Sequence, residues 1–121
     1  MKRSIYTISE VDSKFQLQLF SNNSILILES KQFNSFKECE KFLDTLRVHL
    51  CFQTNFSRSK NISGQFGFEI RTCWDDLIAN SSWFSSRSER EEAMNTAFNA
   101  NKNAVFVHTS IYRKAPLMEV A

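Results

Sequence analysis

The chain has 121 residues and a mass of 14.1 kDa, within the usual range of a single domain. With 42% hydrophobic residues, 23% charged residues and twelve Phe, its composition is that of a globular protein and excludes a disordered chain. The net charge of +2 is too small to favour DNA binding, and no apolar run approaches the roughly 20 residues of a membrane span.

The first half of the chain predicts three strands followed by a helix. In chain order the segments are a strand at 4–8, a turn at 9–14, a strand around 15–19, a turn at 21–24, a strand at about 25–30 and a helix at about 36–49. Phe15, Leu17 and Leu19 alternate with glutamines, as is typical of a strand with one buried face. A Ser-x-x-Glu capping box begins the helix. The apolar stripe of that helix comprises Cys39, Phe42, Leu43, Leu46 and Leu50.

The second half predicts the same order of elements. A segment at 48–56 alternates in part and is predicted to continue the sheet, and a loop at 57–61 follows it and closes at Gly64. In chain order there follow a strand around 66–70, a turn at 72–76, a strand at 77–82, a helix at about 87–101 and a last strand at 104–110. A second Ser-x-x-Glu capping box begins the second helix.

The two halves align when the sequence is shifted by 51 residues. Nine of the 33 positions from 15 to 47 are identical to those from 66 to 98, and the matches include both capping boxes. We therefore predict an α+β fold with a single mainly antiparallel sheet and two helices packed on one face, built from two tandem β-β-β-α-β-like units. The prediction is one domain over 1–121, made of two pseudo-repeats, 1–50 and 51–110, with a short C-terminal tail, 111–121.

Short motifs in both halves resemble those of the YegP-like family of bacterial proteins, which contain a small domain of unknown function. The motif residues ahead of the helices are Ser30, Phe33 and Ser35 in the first half and Ser81, Phe84 and Ser86 in the second. The Asn-Gly turn of that family is replaced here by Asn22-Asn23 and by Trp74-Asp75, so we expect the second turn to have a different shape. The resemblance covers roughly residues 4–110. It implies tandem units in a single sheet with their last strands exchanged, and it implies no chemistry.

No residue pattern in the chain indicates catalysis, a cofactor or a metal. Cys39, Cys51 and Cys73 have no CxxC spacing, which disfavours a disulfide framework or a zinc site and indicates reduced thiols. The two histidines lack the spacing of metal ligands, and Asp75-Asp76 falls in a turn, where aspartate is common. Two glycines in the whole chain exclude a phosphate-binding loop. We predict a cytoplasmic protein that is not an enzyme.

Exposed aromatic and basic side chains are the candidates for binding. Trp74 is predicted to stand in a turn, and Trp83 precedes an inward-facing phenylalanine, so it marks either a contact surface or the cover of a sheet edge. Arg58, Lys60, Arg71 and the tail's Arg113-Lys114 are predicted to line one region, the alternative being a solvated face of mixed charge. Binding of nucleic acid would use Arg58, Lys60 and Arg71 together with Trp74. The candidate binding residues are thus Arg58, Lys60, Arg71, Trp74 and Trp83.

Three functions remain open at this point, and one of them is a small-molecule or peptide binder that uses a groove by Trp83. The favoured one is a non-enzymatic interaction module that binds an unknown protein partner or a second copy of itself as a homodimer, because open edge strands invite pairing. The alternative is weak binding of single-stranded nucleic acid, which steep salt dependence would reveal. No membrane partner is predicted.

Overall fold

The computed structural model describes residues 4–103 and 105–107. The strands are β1 (Ile5–Val11), β2 (Lys14–Phe20), β3 (Leu26–Phe33), β4 (Phe56–Lys60), β5 (Phe66–Arg71), β6 (Leu77–Ser81) and β7 (Val105–Val107), and the helices are α1 (Phe36–Leu50) and α2 (Arg87–Asn103). The strand predicted at 104–110 is thus present as β7. The rest of that prediction and the tail lie outside the described residues.

The seven strands form one sheet in the order β4-β5-β6-β3-β2-β1-β7. Neighbours are antiparallel except for β1 and β7, which are parallel and place Ile5 opposite Val105. The two halves of the chain meet at the centre of the sheet, where β3 pairs with β6. The predicted α+β fold, with one mainly antiparallel sheet and two helices, is confirmed.

One hydrophobic core joins the two helices to one face of the sheet. Alternation turns Leu17 and Leu19 of β2 and Phe68 and Ile70 of β5 inward, and each is at most 1% exposed. The helices complete the core with Cys39, Leu43, Leu46 and Leu50 of α1 and Ala93, Ala97 and Ala100 of α2. Burying one large apolar side chain stabilises the fold by about 1.5–3 kcal/mol, so the leucines of the predicted α1 stripe hold that helix to the sheet.

Several hydrogen bonds recur 51 residues apart. The Ser30 hydroxyl accepts a bond from the Leu17 N–H at 3.0 Å, and the Ser81 hydroxyl accepts one from the Phe68 N–H at 2.8 Å. Each hydroxyl donates in turn to the carbonyl of the following residue. The serine N-caps of the two helices recur as well, because the hydroxyl oxygens of Ser35 and Ser86 accept from the N–H three residues on.

The turns after β2 and β5 have the same shape, so the prediction of a different second turn is wrong. The first residue of each turn, Ser21 or Thr72, donates its N–H to the carbonyl four residues on, and its side-chain oxygen accepts two N–H groups of the turn. Positive φ falls on Ser24 (66°) and Asp75 (68°), and not on Asn22-Asn23. Side-chain hydrogen bonds of this kind stabilise a turn that lacks glycine.

The turn predicted at 9–14 is too long. β1 continues to Val11, which lies opposite Lys14 of β2. Asp12 (φ 52°) and Ser13 (φ 66°) therefore form a two-residue turn, and such turns need positive φ at both positions to match the twist of the strands.

The segment at 48–56, predicted to continue the sheet, is instead the end of a helix and a short 3₁₀ turn, and only its last residue belongs to a strand. Helix α1 extends to Leu50, which is buried in the core one turn after Leu46, and a 3₁₀ turn at Gln53–Asn55 follows. The predicted loop at 57–61 is instead mostly strand β4. Its polar sequence is compatible with a strand because β4 lies at the edge of the sheet, where polar side chains are common.

Candidate functional site

Three cations surround the ring of Phe66. The distance from the ring centroid is 5.3 Å for the Lys60 ammonium, 5.4 Å for the Arg90 guanidinium and 5.6 Å for the Arg87 guanidinium. The negative face of an aromatic ring attracts cations at such distances. Together with Arg58, these three side chains are called the basic cluster below.

Strand β4 and the first turns of α2 bring the basic cluster together. Arg58 lies opposite Phe68 and Lys60 opposite Phe66 on the neighbouring strand. Directly opposite residues of an antiparallel pair share a face, so both cations lie on the side of the sheet that the helices cover. Because Ser86 caps the N-terminus of α2, Arg87 and Arg90 lie at the beginning of that helix.

Glu91 is the acid that forms ion pairs with the basic cluster. Its carboxylate accepts hydrogen bonds from Arg58 Nε at 2.9 Å and Arg58 Nη2 at 2.6 Å, and from Arg90 Nε at 3.0 Å. The hydrogen bond from Arg58, aided by that from Arg90, lowers the pKa of Glu91 to about 2. Lys60 and Arg87 form no ion pair with any residue that the structure describes, so they carry the uncompensated charge of the cluster.

A cleft of about 350 Å³ lies next to the basic cluster, between β4 and α2. Its apolar lining includes Phe56 and Met94, and its rim includes Arg58 and Glu91. The ring of Phe56 stacks on that of Phe68, with 5.8 Å between the centroids. The volume is at the lower end of the roughly 300–1,000 Å³ of ligand sites, which suits a few side chains better than a large cofactor.

At the positions where α2 carries the cations of the cluster, the first half of the chain carries apolar residues. The shift of 51 residues places Phe36 of α1 at the position of Arg87 and Cys39 at that of Arg90. The Phe36 ring meets the Phe15 ring edge-on at 6.1 Å, and Cys39 is fully buried. The same packing position therefore accepts either apolar or cationic side chains, and the fold does not require the cations.

Strand β4 shows the same contrast with β1. Ile8 lies opposite Leu17, and Arg58 lies opposite Phe68, the residue that corresponds to Leu17. Arg58 therefore takes the place of an isoleucine that is 0% exposed in the first half. The Arg58 side chain is itself 56% exposed, so this position is open to solvent in the second half, and Arg58 pairs there with Glu91.

The structure places Arg71 and Trp74 away from the other predicted binding residues. Arg71 follows the buried Ile70 on β5, so it lies on the uncovered face of the sheet, where it forms an ion pair with Glu69 at 2.8 Å. Trp74 is 84% exposed in the turn after β5, at the opposite end of that strand from Phe66. Arg58 and Lys60 lie on the same face of β4, but Arg71 and Trp74 do not join them there, and Arg113-Lys114 lies outside the described residues.

Trp83 lies on the uncovered face of the sheet and is 48% exposed. A Cβ atom at Gly67 would approach its ring carbons Cε3 and Cζ3 to 3.0 Å, so the ring covers that glycine. The next residue, Phe84, turns inward and packs against the core, as the alternation predicted. Trp83 and the basic cluster therefore occupy opposite faces of the same end of β5.

Sequence reasoning missed four residues of the site: Phe66, Arg87, Arg90 and Glu91. The available signal was in the alignment of the two halves, where the arginines of α2 stand against Phe36 and Cys39. A charge that appears in one half at a position that is apolar in the other marks a place where the fold alone does not decide the residue.

Two further observations bear on the kind of site. Among residues 4–103 and 105–107, no three histidine, cysteine or acidic side chains come close enough together to hold a metal ion. Neither helix in that part of the chain has the length and hydropathy needed to cross a membrane.

These features define a small α+β protein whose single sheet has two helices on one face and a basic cluster at one end. Chains of solved structures match this protein, and two of them show what it is similar to. A protein of unknown function, yegP from E. coli, has a TM-score of 0.78 and 17% identity, over 90% of this chain and 95% of that one. A UPF0339 protein from Shewanella oneidensis has a TM-score of 0.79 and 14% identity, over 91% of this chain and 94% of that one.

The fold is therefore YegP-like, as the sequence motifs around Ser30 and Ser81 indicated. No protein-family model matches the sequence, and no curated protein matches it. At identities of 14% and 17% the likeness concerns the fold, and the function must be argued from the side chains of this chain.

Proposed function

We propose that this protein is a non-enzymatic interaction module that binds an anionic partner at the basic cluster. The observation that carries the proposal is the group of three cations around Phe66, two of which, Lys60 and Arg87, lack a carboxylate partner among the described residues. The fold does not require these cations, and their positive charge is only partly balanced by acidic side chains. A cluster of this kind attracts and orients a negatively charged ligand.

Single-stranded nucleic acid is the less favoured ligand. Binding of this kind usually combines cations with aromatic rings on which the bases stack. In this protein the Phe66 ring is already contacted by three cations. The exposed Trp74 lies at the opposite end of β5 from Phe66, and Trp83 lies on the other face of the sheet. The cluster would attract the phosphates, but the Phe66 ring at its centre is already engaged by cations and not by a base.

Self-association through β4 is disfavoured by charge. Two copies that paired along their β4 strands would bring Arg58 and Lys60 of one copy next to those of the other, on the same face of the joined sheet. Cationic side chains on edge strands are a common means of preventing such pairing. We therefore favour a different protein as the partner, and the cytoplasm as the location, since Cys51 and Cys73 are exposed free thiols.

We also infer that the two halves arose by duplication of one β-β-β-α unit. Support comes from hydrogen bonds that recur 51 residues apart at Ser30 and Ser81, from the capping boxes, and from the matching turns. The strand order supports it too, since each half contributes three consecutive strands to one side of the sheet. On this interpretation the basic cluster distinguishes the second half from the first.

Charge-reversal variants test the proposed function. Lys60→Glu combined with Arg87→Glu changes the cluster, and Lys37→Glu combined with Lys41→Glu is the matched control on the exposed surface of α1. The probes are a fluorescent decaglutamate peptide and a fluorescent oligothymidylate of ten nucleotides, followed by anisotropy at several salt concentrations. We expect the cluster variant to bind decaglutamate at least about tenfold more weakly, with a smaller salt dependence, and the control to bind like the original protein. Equal losses in both variants would contradict the proposal.

A further inference from the structure

We propose that the open edge of β4 is a strand-addition site, where an extended acidic segment of a partner protein joins the sheet beside the basic cluster. The inference rests on the proposed function and names the partner and its mode of binding. Peptides that bind in this way gain affinity from main-chain hydrogen bonds and specificity from alternate side chains.

The backbone of β4 presents unused hydrogen-bonding groups to the edge of the sheet. Phe66 exchanges both of its backbone hydrogen bonds with Phe84, at 2.8 and 2.7 Å, so its N–H and C=O point away from β4. In an antiparallel pair, opposite residues either exchange both bonds or neither. Lys60, which lies opposite Phe66, therefore points its N–H and C=O to the open edge.

Arg58 follows the same rule. Its opposite residue, Phe68, donates its N–H to the Ser81 hydroxyl on the far side of β5. The N–H and C=O of Arg58 thus also point to the open edge. At the start of the strand, the Phe56 N–H donates to the Gln53 carbonyl within the 3₁₀ turn, which leaves the stretch from the Phe56 carbonyl to Lys60 for an added strand.

The other edge of the sheet shows how such a strand is accommodated. There β7 lies parallel to β1, with Val105, Phe106 and Val107 opposite the three residues from Ile5 to Thr7. Beneath that contact Tyr6 is fully buried, and its hydroxyl donates to the Ala100 carbonyl at 3.2 Å. The covered edge thus closes the core at this end of the sheet.

The corresponding position on β4 is more open. Tyr6 lies opposite Leu19, and Phe56 lies opposite Ile70, the residue that corresponds to Leu19 after the shift of 51. Tyr6 and Phe56 are therefore equivalent, yet Phe56 is only half-buried and borders the cleft of about 350 Å³. Among the residues that the structure describes, β4 pairs with β5 and with no other strand.

The positive charge beside β4 indicates which kind of strand would bind there. Side chains of an added strand on the helix-covered face would stand beside Arg58 and Lys60, within reach of Arg87. Acidic residues at alternate positions fit this face, whereas a second copy of β4 would meet it with like charges. Nucleic acid has no row of N–H and C=O groups with which to extend the sheet, so the open backbone favours a peptide.

A peptide probe tests strand addition without changing the protein. The probe is an acetylated, amidated octapeptide of alternating glutamate and valine. Two related peptides carry backbone N-methyl groups, one at every glutamate and the other at every valine. In a strand, alternate N–H groups point to opposite edges. We expect the unmodified peptide to bind, one N-methylated relative to bind comparably, and the other to bind at least about tenfold more weakly. Equal binding of all three peptides would overturn strand addition while leaving the proposed binding of an anionic partner intact.

A pair of protein variants provides an independent test. Lys60→Pro and Lys60→Ala remove the same charge, but only proline removes the N–H that faces the open edge. Proline is tolerated in edge strands at such positions, and circular dichroism and thermal melting verify that both variants fold. We expect Lys60→Pro to bind the unmodified octapeptide several-fold more weakly than Lys60→Ala does. Equal affinities of the two variants would contradict strand addition. If the Lys60 variants and the charge-reversal double variant all bound the acidic probes as well as the original protein does, the proposed function itself would be contradicted.

Discussion

Trp83 lies directly on Gly67 on the uncovered face of the sheet, because a Cβ atom at residue 67 would come within 3.0 Å of two carbons of the indole ring and of the Ser81 hydroxyl oxygen. A contact of 3.0 Å is tighter than nine in ten contacts of real Cβ atoms, so a side chain at residue 67 would require the ring or the hydroxyl to shift by a few tenths of an ångström. In the first half the corresponding residues are Gln16 and Gln32, which lie opposite each other on β2 and β3.

Gly67→Ala should therefore displace Trp83. We expect a loss of about 1–3 kcal/mol in the free energy of unfolding, the usual cost of inserting a methyl group where it does not fit. In a Trp74→Phe background, the remaining indole should also change its fluorescence. The double variant Gly67→Ala, Trp83→Ala should recover most of the stability lost, and failure to recover it would place the strain elsewhere.

Ser30→Ala and Ser81→Ala should have similar effects in the two halves. Each removes the acceptor for a strand N–H, that of Leu17 or Phe68, and leaves the donor unsatisfied inside the sheet. Such a loss costs about 1–3 kcal/mol, measurable by urea unfolding. Ser63→Ala, in the exposed loop between β4 and β5, is the control and should be nearly neutral. A cost at only one of the two serines would show that the recurrent bonds are not equivalent.

Stability should fall in acid partly through Glu91. Its pKa is lowered from 4.5 to about 2 in the folded protein, chiefly by the hydrogen bond from Arg58, so the unfolded chain takes up the proton first as the pH falls. The stabilisation is complete above about pH 4.5 and is lost between there and about pH 2. Thermal melts of Glu91→Gln should be flatter with pH across this window than those of the original protein. Glu92→Gln, at the neighbouring exposed carboxylate, should keep the original slope.

The three thiols should differ in reactivity. Burial raises the pKa of Cys39 to about 12, so its nucleophilic thiolate is scarce in the folded protein, whereas Cys51 and Cys73 are exposed. Iodoacetamide at mildly alkaline pH should modify the two exposed cysteines first, and mass spectrometry of the digested protein identifies them. Cys39 should react only once denaturant unfolds the core. Early modification of Cys39 would mean that α1 opens readily from the sheet.

The elements that the sequence predicted well are those in which local pattern and burial agree. The alternation of Phe15, Leu17 and Leu19 predicts β2, and the capping boxes at Ser35 and Ser86 predict where both helices begin. In these segments the same residues that favour the local conformation also enter the core. Local and tertiary preferences therefore point to one answer.

The elements predicted poorly are those decided by position in the fold. The polar run that forms β4 is a strand because β5 pairs with it, and nothing within the run itself indicates this. The basic cluster is likewise assembled from β4, β5 and α2, so the spacing of Lys60, Phe66 and Arg87 along the chain does not reveal it. Arg71 and Arg58 were predicted to line one region, but the alternation of side chains along the strands places them on opposite faces of the sheet.

The parallel pairing of β1 with β7 also shapes how the chain reaches its native state. Strand β1 acquires its outer neighbour only after α2 has been made, so the contact joins Ile5 to Val105, which is distant along the chain. Contacts of such long sequence separation form late, because nearly the whole chain must be ordered before they stabilise anything. Until then the outer edge of β1 is exposed on the ribosome, and this is the period when a nascent chain of this protein is most open to mispairing and to chaperones.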